Sequence, residues 1–269
     1  KYLAHKAFDH VSEYDRIISN YLDENRHDEP KSYSNSLNKV STLRYGENPH
    51  QSASLYRDPE CSKGIANANK LHGKDLSFNN ILDADAAWNI VSDFDDTAAA
   101  VVKHNNPCGL AVNKDQALAY ELAFEGDPVS AYGGILGFNR KVNLETAKAF
   151  KSVFYEVIVA PGYDPEALDL LTKRRNLRIL EVEQDISLTG QVEIRNISGG
   201  ALIQDIDVKR ADRDSWTVVT EKHPTKQQLD DLAFAWSAVK HVKSNAIVLA
   251  KNNQLLGMGS GQPNRLNSI

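Results

Sequence analysis

TAAAVVKHNNPCG, residues 97–109, is the stretch from which the fold is read. Its first half, Thr97–Lys103, is short, apolar and β-prone, and Asn105, Asn106 and Pro107 supply turn chemistry where it ends. Upstream, Leu76–Phe94 carries Ile81, Ala84, Trp88 and Val91 at helical spacing. Downstream, Gln116–Phe124 reads as a helix stopped by Gly126 and Pro128. The alternation continues through a strand at Gly134–Phe138, a helix at Asn143–Val153 and a buried strand at Val157–Ala160. Asp164 and Pro165 then act as N-cap and first-turn proline for a helix over Glu166–Lys173. Leu177–Val182, Glu193–Ile197, Ala201–Gln204 and Trp216–Val219 read as strands. Thr225 and Gln228 form a capping-box pair opening a helix to about Val242, and Ala246–Ala250 with Gln254–Met258 read as a hairpin. Strands alternating with helices predict an α/β fold with three α/β/α layers.

The 269 residues suffice for one large or two small domains, and 41% hydrophobic with 25% charged residues is ordinary folded composition. A net charge of −5 gives no electrostatic case for a nucleic-acid partner. No apolar run approaches the roughly 18–20 residues of a membrane helix, so no membrane partner is expected. Two cysteines, Cys61 and Cys108, are too few for a disulfide framework or a four-thiolate zinc site, and they fit a reducing cytoplasm. Lys1–Asp23 reads as an amphipathic helix whose stripe of Ala7, Val11, Tyr14, Ile17, Ile18 and Tyr21 needs a partner surface. Asn25–Ser41, charged and then rich in serine and asparagine, reads as a linker. The first residue is Lys1, and the α/β unit opened at Ala246 stops at Ile269, so the expectation is a piece of a longer protein, cut at both ends.

Chemistry concentrates in a few clusters. Lys103 and His104 stand where a strand ends, and open α/β sheets place ligands at such ends. The pair reads either as an electrostatic stabiliser beside a general base or as a solvent-exposed cap on the strand. Successive strand residues face opposite ways, so both can serve one site only if the strand stops between them. Arg44 and Tyr45, in LRYGENPHQ, offer a planar fork and a stacking face, or else a surface turn around Asn48-Pro49. Ser130–Gly134 gives a tight turn along which a flat ring could lie. The spacing of Gly257, Gly259 and Gly261 departs from the dinucleotide fingerprint, leaving backbone amides near a phosphate beside Arg265. Pro107-Cys108 lacks the second cysteine and His104 lacks the following glutamate of zinc deaminases, so no zinc is expected. Trp88 and Trp236 fall on apolar helix stripes and read as core.

Eight runs in order, LRYGENPHQ (43–51), LHGKDLSFNNILDADAAW (71–88), VVKHNNPCG (101–109), DPVSAYGGI (127–135), VIVAPGY (157–163), SGGALIQD (198–205), KSNAIVLAKNNQ (243–254) and GMGSGQPNR (257–265), resemble one family. It is the bifunctional purine-biosynthesis family that joins AICAR formyltransferase to IMP cyclohydrolase, and even KYLAHKAFDHVSEYDRIISNY (1–21) is similar to the end of its cyclohydrolase domain. The resemblance implies transfer of a formyl group from the cosubstrate 10-formyltetrahydrofolate to the 5-amino group of AICAR. His104 then matches the catalytic base, Lys103 its partner lysine and Asn245 a catalytic-site asparagine. Arg44, Tyr45 and Arg265 match nucleotide-holding residues, and Tyr132 with Gly133 matches the turn along the substrate. Glu156 stands where some members place an aspartate that contacts AICAR.

The same resemblance implies paired cytidine-deaminase-like units without zinc, a small helical insertion, a monovalent cation (K+) near the site, and a homodimer with shared active sites. The implied division is 1–24 for the end of the cyclohydrolase domain, 25–42 for a linker and 43–222 for the first formyltransferase unit. It continues with 223–244 for the insertion and 245–269 for the start of a second unit. With parts of both enzymes missing, the piece is expected to be inactive alone. The competing expectations are a catalytically silent nucleotide-binding or dimerisation module, and a zinc-dependent deaminase.

Overall fold

The computed structural model describes residues 1–22, 33, 35–59, 61–184 and 191–269. Helix α1 (Tyr2–Leu22) is followed by strands β1 (Asn38–Leu43), β2 (Ala53–Arg57) and β3 (Asn69–His72), then α2 (Phe78–Ser92). Strands β4 (Ala98–Lys103) and β5 (Asn106–Val112) lead to α3 (Gln116–Gly126), α4 (Pro128–Ala131) and β6 (Ile135–Phe138). Helix α5 (Leu144–Ala149), β7 (Val157–Ala160), α6 (Pro165–Thr172) and β8 (Arg178–Glu181) complete the α/β alternation. The hairpin β9 (Val192–Ile197) and β10 (Gly200–Asp205), helix α7 (Lys226–Lys240) and the hairpin β11 (Ile247–Lys251) and β12 (Gln254–Gly259) follow.

Eight strands form one mixed sheet in the order β11-β12-β5-β4-β6-β7-β8-β3, with β6, β7 and β8 parallel and the other pairs antiparallel. Alternation along β4 shows why both faces are covered. Ala99 and Val101 enter a core with Ala119, Tyr120 and Ala123 of α3, Ala147 of α5 and Leu171 of α6. Ala98, Ala100 and Val102 enter the opposite core, with Ala84, Trp88 and Val91 of α2 and Phe234 and Ala238 of α7. The predicted three layers are therefore present: α2 and α7 on one face, α3, α5 and α6 on the other.

Local signals set the helix boundaries. Ser77 Oγ accepts from Asn80 N at 3.1 Å while the Asn80 side chain accepts from Ser77 N at 3.2 Å, a reciprocal cap at the start of α2. Thr225 and Gln228 do the same for α7, as their spacing predicts. Asp164 and Pro165 stand at the N-cap and first position of α6 as expected, but the Asp164 side chain makes no capping bond; its carboxylate pairs with Lys141 at 3.0 Å.

Several expectations are corrected. Asn106 and Pro107, expected in the turn, already belong to β5, and the turn shrinks to His104 and Asn105. The helix expected over Asn143–Val153 stops at Ala149. Trp216–Val219 is not a strand; it follows a 3-10 turn at Arg213–Ser215, and the Trp216 ring lies 6.5 Å from that of Trp236. Trp236 is 51% exposed, unlike Trp88 at 3%, because α7 turns that side of its stripe away from the sheet. The expected linker ran to residue 42, but Asn38–Leu43 pairs with Ala53–Arg57; residues 23–32 and 34 lie outside the described residues. Helix α7, within 223–244, packs into the α2-side core, and the hairpin within 245–269 is bonded to β5. Helix α1 forms as predicted with Val11, Tyr14, Ile17 and Tyr21 exposed. Among the described residues no helix is long and apolar enough to cross a membrane.

Candidate active site

The β4–β5 connection decides whether Lys103 and His104 can work together. Lys103 pairs with Asn106, leaving His104 and Asn105 as the entire loop, with φ of 53° and 61°. Two positive φ values in a two-residue hairpin loop belong to a type I′ turn, whose twist matches that of the strands. The strand thus ends between Lys103 and His104, meeting the condition the sequence imposes. The turn is held from outside: Asp83 Oδ1, on α2, accepts from Asn105 N at 2.7 Å, and the His104 N–H lies near the same carboxylate. Burial raises the Asp83 carboxyl above the ordinary carboxylate range, the two N–H donors oppose that rise, and nearby Glu156 adds to it.

Pairing slips beside the turn, from Val101 with Gly109 to Val102 with Pro107, so Cys108 is an extra, bulged residue. The bulge lets a proline sit within a strand. Cys108 Sγ donates to the Val101 carbonyl at 3.3 Å, and burial pushes its thiol up to about 12. Among the described residues no group of three or more His, Cys, Asp or Glu side chains could hold a metal ion.

Strand β6 runs antiparallel to β4, so its amino end meets the carboxyl end of β4. Asp127 Oδ1 accepts from Ser130 N at 2.9 Å, fixing the short helix α4 that delivers Tyr132 and Gly133 to this edge. Lys103 Nζ donates to the Tyr132 carbonyl at 3.0 Å. Gly133 adopts φ 74°, a left-handed conformation suited to glycine, and its N–H donates to the Phe154 carbonyl at 2.8 Å. The exposed Tyr132 ring leans on Phe154, centroids 5.4 Å apart.

Glu156 and Arg178, at the amino ends of β7 and β8, extend the same edge. Glu156 Oε2 accepts from Asn80 Nδ2 at 2.9 Å and from Arg178 Nη1 at 3.4 Å, and Arg178 Nε donates to the Asp75 carbonyl at 3.1 Å. These residues line a cleft of about 780 Å³ with Arg44, Tyr45, Lys70 and Lys74. The Arg44 guanidinium lies 5.1 Å from the centre of the Tyr45 ring. Arg44, Lys70, Lys74 and Arg178 outnumber Asp75 and Glu156, so the cleft is biased toward an anionic ligand. β4 and β3 present their carboxyl ends here, whereas β6, β7 and β8 present their amino ends, a partial departure from the rule that drew attention to Lys103 and His104.

Seven of the nine expected site residues therefore gather along one sheet edge, Arg44, Tyr45 and Glu156 in the cleft and Lys103, His104, Tyr132 and Gly133 beside it. Asn245 and Arg265 flank the β11–β12 hairpin, two strands across the sheet from β4. Asn245 Nδ2 donates to the Gln262 and Pro263 carbonyls at 3.1 and 3.2 Å. Among the described residues no hydrogen bond or ion pair links Asn245 or Arg265 to Lys103, His104 or Glu156. Gly259 sits where a Cβ would lie 1.9 Å from the Ser268 carbonyl, and Gly261 has φ 65°, so close chain passage and a turn account for these two glycines. Sequence reasoning missed Asn80, Asp83 and Arg178. The Ser77-x-x-Asn80 spacing was a signal for Asn80; Asp83 lies one helical turn further along the same face.

The family described as AICARFT/IMPCHase bienzyme matches residues 1–269. The chain belongs to that family. Among curated members of the AICARFT/IMPCHase family, a bifunctional purine biosynthesis protein of Oceanobacillus iheyensis is 46% identical over 266 residues, covering 98% of this chain and 52% of the relative. One of Dictyostelium discoideum is 49% identical over 300 residues, covering 100% and 55%. One of Bacillus subtilis is 46% identical over 268 residues, covering 99% and 52%. The chain spans about half the length of these curated relatives.

Proposed function

We propose that the chain carries the proton-accepting and nucleotide-holding part of an AICAR formyltransferase within a bifunctional enzyme of purine biosynthesis. The observation that carries this reading is the joining, through α2, of the Lys103–His104 turn to a cation-rich cleft holding Arg44, Tyr45 and Glu156. The reaction moves a formyl group from 10-formyltetrahydrofolate to the 5-amino group of AICAR, giving FAICAR. That amine is a weak nucleophile because its lone pair is delocalised into the imidazole carboxamide. His104 accepts its proton as the C–N bond forms, and a proton passes to N10 of the folate as the formyl–N10 bond breaks and tetrahydrofolate leaves. Lys103, tethered to the Tyr132 carbonyl, stabilises the oxyanion on the formyl carbon. Arg44 takes the nucleotide phosphate, Tyr45 offers a stacking face, and Tyr132 and Gly133 line the path of the ring. Glu156 accepts hydrogen bonds from the AICAR amino groups.

Asn245 and Arg265, unlinked to His104 within one chain, complete the site from the second subunit of a homodimer. The remaining family features, paired cytidine-deaminase-like units, a K+ ion near the site, a cytoplasmic setting and closure of FAICAR to IMP by the cyclohydrolase, belong to the same proposal. So does the division of the chain into a cyclohydrolase end (1–24), first unit (43–222), insertion (223–244) and start of a second unit (245–269). The separation of Asn245 and Arg265 from His104 also supports a piece that binds nucleotide yet is silent alone.

The test uses the full-length protein. His104→Ala lowers kcat for formyl transfer by about 10²–10⁴-fold while AICAR affinity holds. Unchanged turnover removes His104 from the chemistry.

A further inference from the structure

The His104–Asn105 turn is unusual in how it is held. A two-residue hairpin loop closes on its own strand pair, here Lys103 with Asn106, and needs no outside acceptor. Yet the loop is held by a carboxylate from a different layer: Asp83 on α2 accepts from the Asn105 N–H at 2.7 Å, and the His104 N–H lies near the same group. The loop is also tied inwardly, Asn106 Nδ2 donating to the His104 carbonyl at 2.8 Å. Both loop residues sit in the left-handed region, with φ of 53° and 61°; asparagine enters it readily, and histidine less so. Asp83 has a counterpart on the same helix face. Asn80, three residues earlier and only 6% exposed, donates to Glu156 at 2.9 Å. The reciprocal cap at Ser77 and the burial of Ala84, Ala87 and Trp88 fix α2 against the sheet, so both attachments start from a rigid base.

We propose that Asp83 is a positioning residue: its carboxylate holds the His104–Asn105 turn against α2 and so sets where the imidazole stands relative to Glu156 and the cleft. The inference rests on the reading of His104 as the proton acceptor. Asp83 itself touches neither substrate nor reacting atoms; it acts through the backbone of the turn, at the Asn105 amide. A carboxylate suits the task because an anionic acceptor binds N–H groups about twice as strongly as a neutral one.

The experiment compares wild-type, Asp83→Ala and Asp83→Asn full-length proteins by amide hydrogen exchange and by formyl-transfer kinetics. In Asp83→Ala the amides of His104 and Asn105 exchange faster, while a segment far from the turn, Pro165–Thr172, keeps its protection. Its kcat falls by about 10–100-fold, with the KM for nucleotide changed by less than about threefold, because a misplaced base weakens the transition state more than the bound ground state. Asp83→Asn keeps an acceptor oxygen and the side-chain volume, and recovers most of kcat and of amide protection. It also serves as the informative variant should Asp83→Ala fail to fold. Unchanged exchange at His104 and Asn105 overturns the proposal, and so does faster exchange with unchanged kcat. A wild-type protein that folds but transfers no formyl group overturns the functional reading instead, and the exchange comparison still decides whether Asp83 holds the turn.

Discussion

Cys108 and Cys61 differ in what surrounds their sulfur atoms. Cys108 is bulged into the core with its thiol donated to a backbone carbonyl and pushed up to about 12, whereas Cys61 is partly exposed. At pH 8 a thiol of that acidity is ionised in only about one molecule in ten thousand, so it is a poor nucleophile. A thiol-reagent titration of the native protein therefore modifies Cys61 alone, and unfolding in urea releases the second thiol; two reactive thiols in the native state would contradict the burial. At this scale Lys103 and His104 were legible because two polar residues interrupted an apolar run, a contrast that survives without coordinates. Asp83 and Arg178 were not. Each looks like an ordinary solvent-facing charge on a helix or strand, and only its non-local partner, the turn at 104–105 or Glu156, gives it a role. Sequence spacing carries no information about partners 22 residues away in each case.

Elements meet through backbone as well as side chains. Gly109 lies where α3 crosses β5, and a Cβ there would come 1.8 Å from the Ala123 carbonyl. Gly257, in β12, has nothing within 4 Å of its Cβ position. Gly109→Ala consequently costs about 1–3 kcal/mol or more through overpacking, and Gly257→Ala changes stability by less than about 0.5 kcal/mol; urea unfolding of the two variants checks the contrast. Gly109 entered the sequence reading only as the last residue of the 97–109 stretch, and its task is to let a helix approach a strand.

The join between α2 and α7 has an electrostatic part. Asp93, the residue after α2, accepts from His241 Nε2 at 2.6 Å and pairs with Lys240 Nζ at 3.0 Å. Burial alone would raise this carboxyl, but the His241 and Lys240 partners outweigh it and hold it below its ordinary value of 3.8. A depressed carboxyl contributes stability that is present above its unfolded value and lost as pH falls through the folded one. Asp93→Asn is therefore expected to lose about 1.5–3 kcal/mol at pH 7. The deficit should shrink as pH drops below about 4, as denaturation at both pH values would show. Capping made α7 legible in advance, since a cap is a local signal, and apolar spacing did the same for α2. Strand β5 was hidden because its proline is tolerated only at a bulge, and bulges depend on the partner strand.

Across the whole molecule, alternation of strand and helix revealed the three layers, because each layer leaves its own periodicity in the chain. Strand order left no such trace. Nothing local says that β12 bonds to β5, or that β3 travels to the far edge beside β8. The site was legible in the same measure: residues within one turn were found together, and the distance from Asn245 and Arg265 to His104 emerged only with the sheet order. Under the proposed reading the 269-residue chain binds AICAR measurably by calorimetry while showing formyl transfer at least about 10²-fold below the full-length protein. Comparable turnover by the two would place every necessary group within this piece.

Asn80 and Asp83 make α2 a gauge with two marks, one reading Glu156 and the other the loop of the neighbouring hairpin. A gauge tolerates repainting but not resizing. A single residue inserted between the marks would turn one about 100° around the helix axis relative to the other; with Ala84, Ala87 and Trp88 kept in the core, Asp83 keeps the turn and Asn80 loses Glu156. At Gly199-Gly200, where open space surrounds the β9–β10 tip, the same added residue would disturb nothing that matters.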